Sequence, residues 1–410
     1  MSIFKEALHI WWAKPTIRTD ENDDLERKAT WLELFYDLAF VGILAQLSHF
    51  LYQEPSWENA GIFAFLFVPA WWIWNSSTYY NERYERNDIR HRVLTFIGMI
   101  PLAGIAYAIH SGLELSANIY AISYIFSRIL VIYMWHSAAS SPIEKKLSRQ
   151  FSIGFMLSVI LWSISIFIPG NFKFVLWGAG FLIDMITPMF TLGTQMQLPK
   201  ISVHHIPERF GLLTTLTIGE TVIGAINGFA ANHHINIWIG AASALGLVVS
   251  FFIWWLYVDN VLYRLFKNNI WAILAWSYLH LPLAIGITAV GAGILALVSD
   301  SDNGYVTDPV RWLLCGSLAF TIFIIALIGF VSENEGHHEK VIEFHKKHTN
   351  SLLWTKVLSI VLLLLVGFLG KEFHSVLLLV LLIGIMFIPI LNGIYIWLES
   401  HLNRQKQLIN

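Results

Sequence analysis

The sequence predicts an all-α polytopic membrane protein of about twelve transmembrane helices, built as two parallel six-helix repeats. Three observations predict it. Hydrophobic residues are 56% of the 410 and charged residues only 13%, against about 25% charged in an ordinary soluble protein. Apolar runs of eighteen or more residues, the length that crosses a bilayer, recur along the whole chain. The positive charges alternate in step with those runs, and the second half repeats landmarks of the first.

The spans read, in order, Trp31–Leu51, Trp57–Thr78, Val93–His110, Asn118–Trp135, Phe151–Ile168 and Phe174–Leu192, then Phe210–Phe229, Ile237–Val258, Trp271–Val298, Trp312–Val331, Leu352–Leu369 and Val376–Trp397. With these bounds, 21 of the 26 Lys and Arg fall on one side, three (Lys173, Arg311, Lys371) on the other, and Arg128 and Lys356 inside spans. Such a bias places the basic side, and with it both termini, in the cytoplasm. The expected organisation is a cytoplasmic segment 1–30, a first repeat 31–192, a cytoplasmic linker 193–209, a second repeat 210–397 and a cytoplasmic tail 398–410. Met1–Thr30 carries an acidic patch (Asp20, Glu21, Asp23, Asp24) and lacks the apolar core of a signal peptide. The single cysteine, Cys315, rules out an internal disulfide.

The repeat rests on landmarks in register. At an offset of 181, Arg83–Ile89 meets Arg264–Ile270, Pro101-Leu-Ala103 meets Pro282-Leu-Ala284, and Gly112 meets Gly293. At 182, Glu26-Arg27 meets Glu208-Arg209 and Gly42 meets Gly224; at 201, Lys145-Lys146 meets Lys346-Lys347 and Pro188 meets Pro389. Six helices per repeat is an even number, so the halves share one orientation, related by an axis along the membrane normal. Helices four and ten show no convincing match, and Arg128 and Asp184 have no charged counterparts in the second half.

A charge inside a span costs about 2.5–3.5 kcal/mol on insertion scales, so it marks a partner or a function. Glu33 and Asp37 are four residues apart and share a face of the first helix. Arg128, Asp184 and Glu220 lie deeper in theirs. One cation among several carboxylates suits proton or cation binding: the cation holds one carboxylate charged while another binds and releases its ion. Depth matching makes Glu220 the expected partner of Arg128, with Asp184 and Asp37 as the other candidates. Structural ion pairing is the bland alternative for each. Lys356, near a helix end, should snorkel, and Trp57, Trp135 and Trp397, at span ends, read as interfacial anchors.

Other chemistries find little support. His337, His338, His345 and His348 fall in a charged loop, Glu333–Asn350, with no standard metal spacing. His204-His205 and His233-His234 read as solvated loop pairs. No His-Glu-x-x-His, Gly-x-Ser-x-Gly or phosphate-binding glycine loop occurs. Neither a metal, a cofactor, an enzyme activity nor a nucleic-acid partner is expected; the expected partners are membrane lipid and an ion or small solute.

Three segments carry a likeness. Ala29-Thr-Trp-Leu-Glu-Leu-Phe-Tyr-Asp-Leu-Ala-Phe-Val41, Tyr80–Arg92 and Glu208-Arg-Phe-Gly-Leu-Leu-Thr-Thr-Leu-Thr-Ile-Gly-Glu220 together resemble the bacterial low temperature requirement protein A family over essentially the whole chain. Trp31, Glu33, Phe35, Asp37, Asp88, Arg92, Glu208, Arg209, Gly219 and Glu220 occupy the matching motif positions. The resemblance implies a bacterial plasma-membrane protein with a role in growth in the cold. Among functions, a proton- or cation-coupled secondary transporter leads. Its site would be Glu33, Asp37, Arg128, Asp184 and Glu220, and Asp88, Arg92, Glu208 and Arg209 would form a cytoplasmic gating loop. A cation channel built from the two repeats, and a membrane enzyme or structural factor, are the alternatives.

Overall fold

The computed structural model describes residues 12, 14–18, 28–84, 88–202, 205–232, 236–262, 264–266, 269–301, 304–334 and 339–409. Their architecture is helical. The helices are α1 (Trp31–Gln53), α2 (Trp57–Tyr84), α3 (Ile89–His110), α4 (Leu113–Ala138), α5 (Pro142–Ser165), α6 (Phe172–Phe190), the short α7 (Leu192–Gln195), α8 (His205–Ala230), α9 (Ile237–Tyr257), α10 (Ile270–Ser299), α11 (Asp308–Val331), α12 (Glu339–Leu369) and α13 (Ser375–Ile409). A π-helical turn, Val258–Leu262, prolongs α9. Two three-residue strands, β1 (Arg264–Phe266) and β2 (Ser332–Asn334), pair antiparallel with Leu265 opposite Glu333.

Among the described residues, eleven helices are long and apolar enough to span a membrane, which makes the chain a multi-pass membrane protein. The twelfth long helix, α2, falls outside on composition. Its 28 residues have ample length, but Trp71, Trp72, Trp74, Asn75, Ser76, Ser77, Tyr79 and Tyr80 lower its hydropathy. Trp71, Trp72 and Trp74 are nonetheless fully buried.

Local chemistry sets the helix starts. Asp88 caps α3 by accepting from the His91 amide at 2.8 Å, and Asn269 caps α10 by accepting from the Trp271 amide at 2.9 Å. These two caps sit 181 residues apart, the offset at which the sequence landmarks of the two halves match. Ser141 and Glu144 form a reciprocal capping box at α5, with Pro142 at the first helical position. Pro101 and Pro282 lie inside α3 and α10, and Pro188 and Pro389 inside α6 and α13. Gly112 and Gly293 part company. Gly112 takes a positive φ of 78° in the turn between α3 and α4. Gly293 sits within α10, which runs on to Ser299 and packs there against Leu314 of α11.

Helices outrun several expected spans because polar caps and charged first turns continue them past the apolar run. Glu82 and Arg83 belong to α2, Arg92 to the first turn of α3, and Glu208 and Arg209 to the first turns of α8 rather than to a linker loop. Residues 339–350, expected as loop, are helical in α12. The acidic patch 20–24, Arg86, His204, His233, His234, His337 and His338 lie outside the described residues.

The chain forms two compact units. The first comprises Met1–Leu47 and Phe65–Arg209, the second Ser48–Ala64 and Phe210–Asn410. In the first, α3 packs on α4, α4 on α5 and α5 on α6; in the second, α10 packs on α11, α11 on α12 and α12 on α13. Phe65 of α2 packs edge-on to Phe174 and stacks on Trp177 of α6 in the first unit. Phe252 of α9 stacks on Phe387 of α13 in the second. Trp135, expected at an interface, is instead buried at the centre of a cluster with Tyr80, Tyr84 and Phe151. Its place in sequence marks the end of an apolar run but not the side of the helix on which it lies.

A close backbone-to-backbone helix crossing lies in the second unit. A Cβ added to Gly224 of α8 would lie 2.5 Å from the Gly291 carbonyl oxygen of α10, and one on Gly291 would lie 3.0 Å from the Glu220 carbonyl oxygen. Small residues let backbones approach in this way. Gly219, by contrast, has open space. Gly224→Ala is therefore expected to destabilise the protein by about 1–3 kcal/mol, as overpacking does. Gly219→Ala should leave stability unchanged or raise it slightly through helix propensity. Thermal denaturation in detergent separates the two; equal losses would remove the crossing as the cause.

Candidate functional site

Two polar clusters are buried inside the first unit. In one, α1 and α8 present matched pairs. Glu33 and Asp37 sit four apart on α1, and His205 and Arg209 sit four apart on α8, so each pair projects from one helical face. Arg209 grips Asp37 bidentately, Nη1 to Oδ2 and Nη2 to Oδ1, both at 2.8 Å. Trp74 of α2 donates its indole N–H to Asp37 Oδ1 at 2.8 Å, and the guanidinium lies 5.8 Å from the Trp74 ring centroid. Asp37 thus has three donors, and planar, two-pronged recognition is what guanidinium does best. Arg209 Nε lies 3.8 Å from Glu33 Oε1. Glu33 also turns back on its own helix start, its Oε2 accepting from the Thr30 amide at 2.9 Å and hydroxyl at 3.0 Å.

The cluster continues through His205. Its Nδ1 is 2.7 Å from Glu82 Oε2 of α2, and its Nε2 is 3.5 Å from Glu33 Oε1. Glu82 Oε1 accepts from the Ser202 amide at 2.7 Å and lies 3.6 Å from Arg18. Asp37 and His205 are fully buried, and Glu33, Glu82 and Arg209 nearly so.

The second cluster joins α4 and α6. Arg128 Nε lies 3.6 Å from Asp184 Oδ2, both side chains having no exposed surface. Ser76 of α2 accepts from both Nη atoms at 3.0 Å. The guanidinium lies 4.6 Å from the Phe155 ring centroid and 5.8 Å from that of Tyr124, close enough for cation–π attraction in a desolvated setting. Asp184 Oδ2 also accepts from the Tyr124 hydroxyl, and from Ser158 at 2.9 Å.

Glu220 stands apart. It is buried in α8, in the second unit, and its Oε1 has no hydrogen-bond partner among the described residues. Neighbouring Thr221 donates to Ser250 of α9 at 2.7 Å.

The expected pair of Arg128 and Glu220 is therefore replaced by Arg128 and Asp184. Similar depth in two helices does not settle which faces meet: the Tyr124 hydroxyl of α4 and the Ser158 hydroxyl of α5 converge on Asp184, and Ser76 of α2 holds Arg128. The residues expected in a gating loop lie at helix starts or in the buried cluster. Asp88 caps α3, Arg92 lies in the first turn of α3, Glu208 accepts from the Ala29 amide at 3.1 Å, and Arg209 binds Asp37. Lys356 is buried, its Nζ donating to the Leu352 carbonyl one turn back at 3.2 Å. Arg311, counted with the loops, is buried and bonded to Asp308 at 2.8 Å and to the Gly367 carbonyl at 2.9 Å. Sequence reasoning missed His205 and Glu82 as site residues; the four-residue spacing of His205 and Arg209 was the available signal. Among the described residues no group of three or more His, Cys, Asp or Glu could hold a metal.

Breaking a buried pair by removing one partner costs about 3–5 kcal/mol, because the other charge is stranded. Arg128→Leu should lose that much stability, and Asp184→Asn in the same chain should recover part of it. Arg128→Leu and Glu220→Gln should add. A mutant cycle in detergent-solubilised protein checks both; additivity between positions 128 and 184 would dissolve the pair.

Two comparisons with known proteins bear on this arrangement. The chain is 23% identical over 292 residues to an uncharacterized protein, RA0937, of Rhizobium meliloti (strain 1021), covering 66% of this chain and 70% of that protein. A family model described as bacterial low temperature requirement A protein (LtrA) matches residues 28–393. That match takes in both buried clusters and Glu220, and the chain belongs to the bacterial low temperature requirement A family.

Proposed function

We propose that this protein is a proton- or cation-coupled secondary transporter of the bacterial plasma membrane, moving an ion or small solute. The observation that carries the reading is Glu220. It is a carboxylate buried in a membrane-spanning helix, with an oxygen that finds no hydrogen-bond partner among the described residues. Intramembrane ionisable residues are expensive and as a rule serve ion pathways or proton relays. A carboxylate that lacks a bound cation of the protein is free to take one from solution, or a proton. Asp37 and Asp184, already held by arginines, are then the fixed frame rather than the exchanging groups. No comparable argument supports an enzyme, for which a placed nucleophile or metal would be needed.

The reading includes α2 as a twelfth span, both termini in the cytoplasm, and descent from a duplicated six-helix unit. The length of α2 and its buried tryptophans support the span. The 21-to-3 distribution of Lys and Arg supports the orientation. The like order of helix packing in the two units, the equivalent caps at Asp88 and Asn269, and the prolines inside equivalent helices support the duplication. Transporters with parallel repeats bind substrate near the interface of the halves.

Two experiments test these statements. Full-length protein in liposomes, exposed in turn to proton, potassium and sodium gradients with a pH-sensitive dye inside, should move protons or one cation. Glu220→Gln should reduce that flux to background while leaving the protein monodisperse. Absence of flux under all gradients, or unchanged flux in the variant, would overturn the reading. Reporter fusions after Gln53 and Asp302 should read outside and one after Glu335 inside; an outside reading at Glu335 would refute the twelve-span topology.

A further inference from the structure

We propose that His205 is a proton-binding site: a buried imidazolium held between Glu82 and Glu33. Both ring nitrogens face carboxylates, Nδ1 at 2.7 Å from Glu82 Oε2 and Nε2 at 3.5 Å from Glu33 Oε1. A neutral imidazole has one N–H and one lone pair. Either neutral tautomer would aim its lone pair at a carboxylate oxygen inside a solvent-free cluster. The imidazolium presents an N–H to each.

The charges of the surroundings agree. Facing His205 are Glu33 from α1, Glu82 from α2 and Arg209 from its own helix, one turn on. Beyond them, Asp37 closes on Arg209, and Arg18 lies 3.6 Å from Glu82. Arg83, next to Glu82, is directed to the Pro199 carbonyl, and Glu208 to the Ala29 amide. Among the described residues, the carboxylates of Glu82 and Glu33 lie nearest the two ring nitrogens, and a proton on His205 offsets negative charge there. The ring is completely buried, so an unbalanced negative charge there would have no water to solvate it.

The site also has a way to act. His205 is the first residue of α8, its amide donates to Ser202 Oγ at 3.2 Å, and the Ser202 amide donates to Glu82 Oε1 at 2.7 Å. The proton therefore ties the start of α8 to α1 and α2. Losing it would set a lone pair against a carboxylate and loosen that tie. The proton leaves to water or to one of the flanking carboxylates, and no co-reactant is required. That this proton is the coupling ion rests on the transport reading above; that it is bound does not.

Selective ¹⁵N-histidine labelling of the full-length protein in lipid bilayers tests the two parts separately. The His205 signal is identified by its loss in His205→Gln, or by sequential correlation to the Ile206 amide in uniformly labelled protein should that variant not fold. At neutral pH the wild-type signal should show both ring nitrogens protonated. Glu82→Gln, which removes the Nδ1 carboxylate and one negative charge, should convert it to a neutral imidazole. A neutral imidazole in the wild type, or an imidazolium that survives Glu82→Gln, would overturn the proposal. In liposomes His205→Gln should remove the proton dependence of transport. If the wild type moves nothing, the transport reading fails while the resonance result still decides the proton site; if flux persists with unchanged proton dependence, His205 does not carry the coupling ion.

Discussion

A carboxylate inside a membrane-spanning helix has to find a cation or a proton, and the grip of Arg209 on Asp37 is the form that requirement takes here. The desolvation of two ions is repaid only with good geometry and all remaining donors and acceptors filled. Asp37 meets both conditions, with two parallel bonds from guanidinium and a third from Trp74. The interaction joins residues 172 positions apart in sequence and so ties the start of α8 to α1. Around it the rest of the cluster falls into place: Glu33 completes the guanidinium's surroundings, His205 is brought between Glu33 and Glu82, and Ser202 and Arg18 close over Glu82.

Three of the buried acidic residues, Asp37, Asp184 and Glu220, differ in how completely they are satisfied, and on the transport reading that difference separates scaffold from working group. Asp37 is saturated by donors. Asp184 has a guanidinium at 3.6 Å and two hydroxyl donors on one oxygen, while its Oδ1 has no hydrogen-bond partner among the described residues. Arg128 makes up part of the shortfall through Ser76 and the faces of Phe155 and Tyr124. Glu220 has the least support of the three. In low dielectric, a satisfied polar network rigidifies a structure and an unsatisfied group is costly. On the transport reading proposed above, the unsatisfied carboxylate of Glu220 is the group that would take the ligand.

Most of the helical frame was legible in the sequence, because hydropathy, caps and prolines act locally. Each of the twelve expected spans overlaps one long helix, those ending at Ile168, Leu192 and Val258 running one to three residues past theirs, and Asp88, Ser141 and Asn269 start helices by accepting from amides two or three residues away. What failed depended on rotation about a helix axis or on contacts between distant segments. Trp135 looked like an interfacial anchor because it ends an apolar run, yet it faces inward onto Tyr80, Tyr84 and Phe151. The partner of Arg128 was sought by depth, and depth cannot distinguish Asp184 from Glu220. Arg209 and His205 were assigned to a linker because they precede the apolar run of their helix. Their charges are buried only because Glu33, Asp37 and Glu82 arrive from elsewhere in the chain.

The central claim is that Asp37 and Arg209 form one coupled unit rather than two separately tolerated charges. The direct measurement is a double-mutant cycle, Asp37→Asn and Arg209→Gln singly and together, read by unfolding in mild detergent. Contacting charged residues couple by about 0.5–3 kcal/mol. The account predicts a coupling at the upper end of that range, with the double variant more stable than the sum of the single losses allows. Strict additivity would contradict it, and with it the view that this pair anchors the buried cluster.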